Sequence, residues 1–191
     1  MIRILLAAGL CVWMAACAKP SGDACQAKAD VMLEMTFIEF DQGVDGWRSL
    51  DASLACSDHA DDVLAEYRSL HGSRLSPANV SLLIWHEAQV LAAKGDAAKS
   101  ADLMRKAAFP GEPQWQRLYR EGSIAFLEGD LAGLEAAKNS LAGLPRDPSL
   151  ITPGGTEAAW PPNLDVLEGL ISCFGKPYSV AYACRRPPAT W

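Results

Sequence analysis

Residues 76 to 144 carry one pattern twice, and that duplication limits the possible folds more than any other feature of the chain. Gly95-Asp96 recurs as Gly129-Asp130, an offset of 129 − 95 = 34 residues. The same offset pairs Ile84 with Leu118, Trp85 with Tyr119, Glu87 with Glu121, Ala88 with Gly122 and Ala92 with Phe126. Ser76-Pro77 is a strong start signal, with serine as cap and proline at the first helical position, and predicts a helix to Lys94. Partner helices are predicted over 97–109 and 131–144. Pro110-Gly111-Glu112-Pro113 separates the copies, and Pro145 to Pro148 closes the second. Helix-turn-helix units bury their apolar faces against neighbours, and two alone rarely make a stable stack. The flanking segments must therefore supply capping helices.

Those flanks read as helical. A first helix is predicted from Ala24 to about Phe40, capped by Asp23, with Ala27, Val31, Met35 and Ile38 as its stripe and Met32 as core filler. Gly43 to Cys56 breaks the periodicity, and Trp47 with Leu50 should pack back onto that helix. A second helix should begin at Ser57, bury Val63, Leu64, Tyr67 and Leu70, and end at His71-Gly72. Asp58, Asp61 and Asp62 in its first turn suit the positive end of the helix dipole. Residues 147 to 162 form a long connection. Asn163 is expected to cap a seventh helix bearing Leu164, Leu167, Leu170, Ile171 and Phe174, and a short eighth element follows around Pro177 to Cys184.

The period and the Gly-Asp turns resemble the tetratricopeptide repeat, whose period is 34 residues. Anchored on Gly95, Ala88 and Leu91 fall on the family's small and large apolar signature positions, and Gly122 and Ala125 on those of the second copy. The pattern departs from the family at Trp85, one place late, at Glu87 and Glu121, and at Ser100 and Leu134, where a small alanine is usual. The resemblance covers about 70 of 191 residues. It implies an all-α, tetratricopeptide-like superhelix of stacked antiparallel helix pairs, about seven or eight helices in all. It also implies a groove lined by the first helix of each pair and suited to extended peptides. Its residues would be Trp85, Gln89, Ala92 and Ala93, then Tyr119, Ser123, Phe126 and Leu127. Trp85, Gln89, Tyr119 and Ser123 are the strongest candidates for partner contact, while Phe126 reads better as core.

The N-terminus reads as an export signal. Arg3 precedes an apolar run from Ile4 to Trp13, and Met14-Ala15-Ala16-Cys17 closes it with small residues before a cysteine. This resembles a bacterial lipoprotein signal, which would give a signal peptide over 1–16, lipidation of Cys17 and a tether over 17–23. Ala16-Cys17-Ala18 also reads as an A-x-A site for ordinary secretion. Ala18 after the cysteine fits sorting to the outer membrane by resemblance to the Gram-negative rule, with the body facing the periplasm. A soluble periplasmic protein is the alternative. The mature body is a single domain over 24–186 with a tail over 187–191.

Cys25, Cys56, Cys173 and Cys184 remain for pairing, and four thiols in an oxidising compartment imply two disulfides with three possible connectivities. Cys25 with Cys56 and Cys173 with Cys184 each fall within one local hairpin. The second pair demands a short or irregular final helix, because helical rise alone would separate the Cα atoms beyond the roughly 7 Å limit.

The net charge of −6 and the absence of a basic stripe argue against nucleic acid. His59, His71 and His86 fall on separate predicted elements and make no H-E-x-x-H pattern; neither Gly72-Ser73 nor Gly122-Ser123 sits in G-x-S-x-G. Glu87 and Glu121 occupy one repeat position, about 10 Å apart in stacked helices, a separation also found in glycosidase carboxylate pairs. Duplication alone accounts for them. No catalytic residue, metal or cofactor is expected. The reading is a non-catalytic envelope lipoprotein that binds proteins or peptides as an adaptor or assembly factor, with the membrane as its other partner through the lipid. The alternative is a periplasmic inhibitor or immunity protein against a secreted hydrolase toxin.

Overall fold

The computed structural model describes residues 22–53, 55–147 and 159–184. Among them lie ten α-helices, two 3-10 turns and no strand, against the seven or eight helices expected. Cys17, the signal segment and the tail over 187–191 lie outside the described residues, as do residues 148–158 of the long connection.

The extra helices come from the N-terminal third. The single helix expected over 24–40 is two, α1 (Gly22–Leu33) and α2 (Phe37–Gln42). The break is local chemistry. Thr36 caps α2 through a capping box, in which its Oγ1 accepts from Glu39 N and Glu39 Oε2 accepts from Thr36 N at 2.9 Å; the two side chains satisfy two orphan donors. On the other side of the break, the last carbonyl of α1 and one just past its end find partners on a later helix. Tyr67 Oη donates to Met35 O at 2.8 Å, and His71 Nε2 donates to Leu33 O at 2.8 Å. Asp23 lies inside the helix and not at its cap.

The buried face of α1 also differs from the expected stripe. Val31 and Ile38 are 64% and 69% exposed, and Ala27 is exposed too. Cys25, Ala29, Met32 and Leu33 point inward instead. The Cys25–Cys56 disulfide, with Cα atoms 5.4 Å apart, fixes which side of the helix faces the core, and residues 25, 29 and 32 follow it at helical spacing. A short α3 (Arg48–Asp51) buries Leu50 beside Trp47 as expected. After a 3-10 turn at Ser57–His59 comes α4 (Ala60–His71), which buries Val63, Leu64 and Tyr67 but leaves Leu70 exposed. Tyr67 stacks on Phe40 at 3.8 Å.

The duplicated segment folds into α5 (Pro77–Lys94), α6 (Ala97–Lys106), α7 (Gln114–Leu127) and α8 (Leu131–Ala142). Each Gly-Asp pair does two jobs. Gly95 and Gly129 take φ of +94° and +74°, where a Cβ is strained, and Asp96 and Asp130 then accept from the Lys99 and Gly133 amides at 3.2 and 2.9 Å. Ser76 caps α5 by accepting from Asn79 N at 3.2 Å. Two of the positions singled out in the repeat pattern have visible packing roles. Ser100 Oγ donates to Ala88 O at 2.7 Å, so a hydroxyl ties α6 to α5 where alanine is usual. At Gly122 an added Cβ would meet Leu167 Cδ2 at 2.8 Å.

Two more helices complete the chain, α9 (Leu164–Ser172) and α10 (Tyr178–Ala183). Asn163 precedes α9 with φ of +61° and makes no side-chain cap, contrary to expectation; asparagine is one of the few residues that tolerate that conformation. Six residues is short enough for Cys173 and Cys184 to meet, with Cα atoms 6.3 Å apart.

From α4 to α9 each helix packs on its neighbour in sequence, while α10 packs on both α9 and α5. Three hydrophobic clusters result, and α5 enters all of them: Leu83 and Val90 in the N-terminal core, Ala88 in the cluster with α6 and α7, Ala92 in the C-terminal core. A helix apolar on nearly every face is a buried helix.

Gly95→Ala should destabilise the protein by about 1 to 2 kcal/mol through backbone strain, since a Cβ there meets nothing within 4 Å. Asp130→Ala should cost about 1 kcal/mol through the lost cap. Urea denaturation checks both, and the two losses should add, because the sites share no partner.

Candidate functional site

The face of α5 that bears Trp85 and Gln89 is where side chains from distant segments converge. Its partners arrive from both ends of the chain. From the N-terminal side comes a buried polar node built on Asp41, which is 1% exposed. Its Oδ1 accepts from His86 Nδ1 at 2.8 Å and from Trp47 Nε1 at 3.1 Å. Arg48 donates to the Asp41 backbone carbonyl and reaches His86 Nε2 at 3.2 Å. A guanidinium can only donate, so Nε2 is the acceptor and the network assigns the imidazole proton to Nδ1. Arg48 also lies over the Trp47 ring at 4.4 Å. Burial alone would push the Asp41 carboxyl up, but the His86 and Trp47 hydrogen bonds and the Arg48 charge outweigh it and hold it below the ordinary value. An Asp–His pair of this kind invites a catalytic reading, yet both ring nitrogens are occupied by Asp41 and Arg48, and among the described residues no hydroxyl or thiol is bonded to them.

From the C-terminal side comes α10. Its Tyr178 contacts Phe126 at 6.0 Å, and Phe126 meets Phe174 of the α9–α10 turn at 5.8 Å. These residues cover the face that was expected to receive an external segment. Tyr119 is 5% exposed and packed under α9 and α10, and Ser123 is fully buried, its Oγ donating to Tyr119 O at 3.0 Å. Neither presents its polar atom as an open groove would. Burial, with Tyr178 and Tyr182 nearby, raises the Tyr119 phenol well above its usual value.

Trp85 and Gln89 are half-buried and each borders a pocket. The first, about 140 Å³, lies between α5 and α7 and is walled by Trp85, Trp115 and Tyr119. Its charged groups are already spent, because Arg120 Nε and Nη2 bond Glu112 Oε1 and Oε2 at 3.0 and 2.7 Å in a buried fork. The second, about 210 Å³, opens between α3, α5 and α10 and is bordered by Trp47, Asp51, Gln89, Tyr178 and Tyr182. Here polar groups remain unspent. Among the described residues Tyr178 Oη is buried without a hydrogen-bond partner of good geometry; burial raises the phenol, and the nearby Gln89 amide, which favours its phenolate, offsets only part of that.

The two glutamates at equivalent repeat positions serve separate arginines. Glu87 is buried and bonds Arg68 Nη2 of α4 at 2.8 Å, while Glu121 is exposed and bonds Arg117 one turn away at 3.0 Å. Among the described residues no group of three or more His, Cys, Asp or Glu side chains is gathered as metal ligands would be.

No protein-family model, no curated protein and no solved structure matches this chain. The chemistry of these pockets is therefore the ground for any functional reading.

Two outcomes follow from the buried charges. Asp41 is held below its unfolded value of about 3.8, so its contribution to stability is full above that pH and is lost as pH falls through the lower folded value. Asp41→Asn should lower stability at neutral pH, and its deficit relative to wild type should shrink on acidification below that value, measured by denaturation at a series of pH values. Arg120→Ala leaves Glu112 buried and unpaired and should cost about 3 kcal/mol. Arg120→Met with Glu112→Met should recover most of that loss in thermal melts.

Proposed function

We propose that this protein is a non-catalytic envelope lipoprotein that binds protein or peptide partners through the exposed side of a tetratricopeptide-like helical stack. The observation that carries the reading is the pair of aromatic-walled pockets flanking the Trp85–Gln89 face of α5. Tryptophan and tyrosine with nearby amides are the side chains that dominate protein recognition. The 34-residue period, the Gly-Asp turns and the close approach at Gly122 support the likeness to tetratricopeptide stacking. Burial of Tyr119 and Ser123 moves the proposed contact surface to the rim, towards Gln89 on one pocket and half-buried Gln116 of α7 on the pocket beside Trp85. Two disulfides are compatible with a compartment outside the cytoplasm. Among the described residues no helix is long and apolar enough to cross a membrane, and lipidation at Cys17, as the signal resemblance implies, would supply the anchor to the outer membrane.

Crosslinking capture from the native envelope tests this, with partners identified by mass spectrometry. Wild-type protein should capture envelope proteins that a Gln89→Ala, Gln116→Ala variant loses, and Cys17→Ser should shift the protein from the membrane to the soluble fraction. Capture of one hydrolase, inhibited and indifferent to the variant, would replace this reading with the inhibitor one.

A further inference from the structure

We infer that the pocket between α3, α5 and α10 is a receptor for a single basic side chain, a lysine or arginine presented by the bound partner. The inference rests on the binding-protein reading above and names what that site selects.

Asp51 borders the pocket, and among the described residues no hydrogen bond or ion pair reaches its carboxylate. The nearest cations are committed elsewhere. Lys94 bonds the Asp61 carboxylate and Asp58 O, and Arg48 is held by Asp41, His86 and the Trp47 ring. Asp51 is itself exposed; the partial desolvation it does undergo pushes its carboxyl up, and those two cations lower it by less. An ionised group in that setting gains from a fresh cation more than a fully solvated one would. Tyr178 Oη is buried, with only the Gln89 amide beside it among the described residues, and has a lone pair left for an N–H donor, as does the Gln89 carbonyl oxygen. Trp47 and Tyr182 supply apolar walls for an aliphatic stem, and Tyr182 a ring for the charge, since Arg48 already covers Trp47.

Size and charge agree. A volume of about 210 Å³ is below the roughly 300 to 1,000 Å³ of small-molecule sites, and suits one long side chain better than a cofactor. The chain's net charge of −6 steers a basic partner towards it. The pocket beside Trp85 has similar walls, but its Arg120–Glu112 pair is closed on itself, so it offers no comparable unpaired acceptor.

The test uses the full protein and three probes: N-acetyl-arginine amide, N-acetyl-lysine amide and the neutral N-acetyl-norleucine amide. Binding is followed by the NMR shifts of the Gln89 side-chain amide and the Trp47 indole N–H. The cationic probes should give saturable shifts that weaken with added salt, and norleucine should not. Asp51→Asn should weaken them by about fivefold, the upper end for a partly exposed ion pair, and Tyr178→Phe should weaken them less, with both variants retaining the wild-type dichroism spectrum. Equal shifts from norleucine, no shift from any probe, or an undiminished response in Asp51→Asn would each overturn the assignment. Envelope capture repeated with Asp51→Asn separates the two levels. Basic probes that bind a protein capturing no partner sink the binding-protein reading and leave the pocket's selectivity standing. Partners captured without any probe response sink the pocket assignment alone.

Discussion

The buried carboxylate of Asp41 holds the N-terminal third in place. Residues 37 to 51 contain only two helices, of six and four residues, too short to persist on their own. They are ordered by what converges on that one side chain: Trp47 from the same segment, His86 from α5, and Arg48 bridging both. A buried charge with this many donors is costly to expose or to leave unpaired, so the segment docks in one way. Trp47 is thereby fixed as a wall of the pocket beside Gln89, and the node that orders the fold also shapes the surface.

The second organising element is α5. It contributes to all three hydrophobic clusters and carries His86 and Glu87 into two buried polar contacts with earlier segments. Its eighteen residues span both halves of the molecule. Return of α10 onto α5 fills the side that an open stack would leave free, and the aromatic residues there, Tyr119, Phe126 and Tyr178, become core. What stays accessible is the margin of that packed side, where half-buried Gln89 and Trp85 border small pockets.

Local chemistry was legible in the sequence and tertiary closure was not. Ser76-Pro77, Gly95-Asp96 and Gly129-Asp130 carry their information within four residues, and α5 runs over the span they define. Both disulfide pairs were readable because each joins cysteines that are neighbours along the chain. Thr36-x-x-Glu39 is equally local, but the apolar run across it looked continuous and hid the break between α1 and α2. The Asp41–His86 bond spans 45 residues, and nothing near either residue announces the other. Tyr119 and Ser123 kept their repeat positions but lost their exposure: α9 packs on α7, and Tyr178 and Tyr182 of α10, about sixty residues later, lie beside Tyr119. Periodicity gives a helix its faces; it does not say which later segment will cover them.

The disulfides close at 31 and 11 residues of separation, and neither crosses the stretch between Cys56 and Cys173. A single proteolytic cut anywhere in that stretch would therefore yield two pieces with no covalent link, each still stapled within itself. Whatever keeps them associated must be burial and polar contact alone, with α5 the natural seam. In the language of fragment complementation, this is a chain with two locked ends and an unlocked middle.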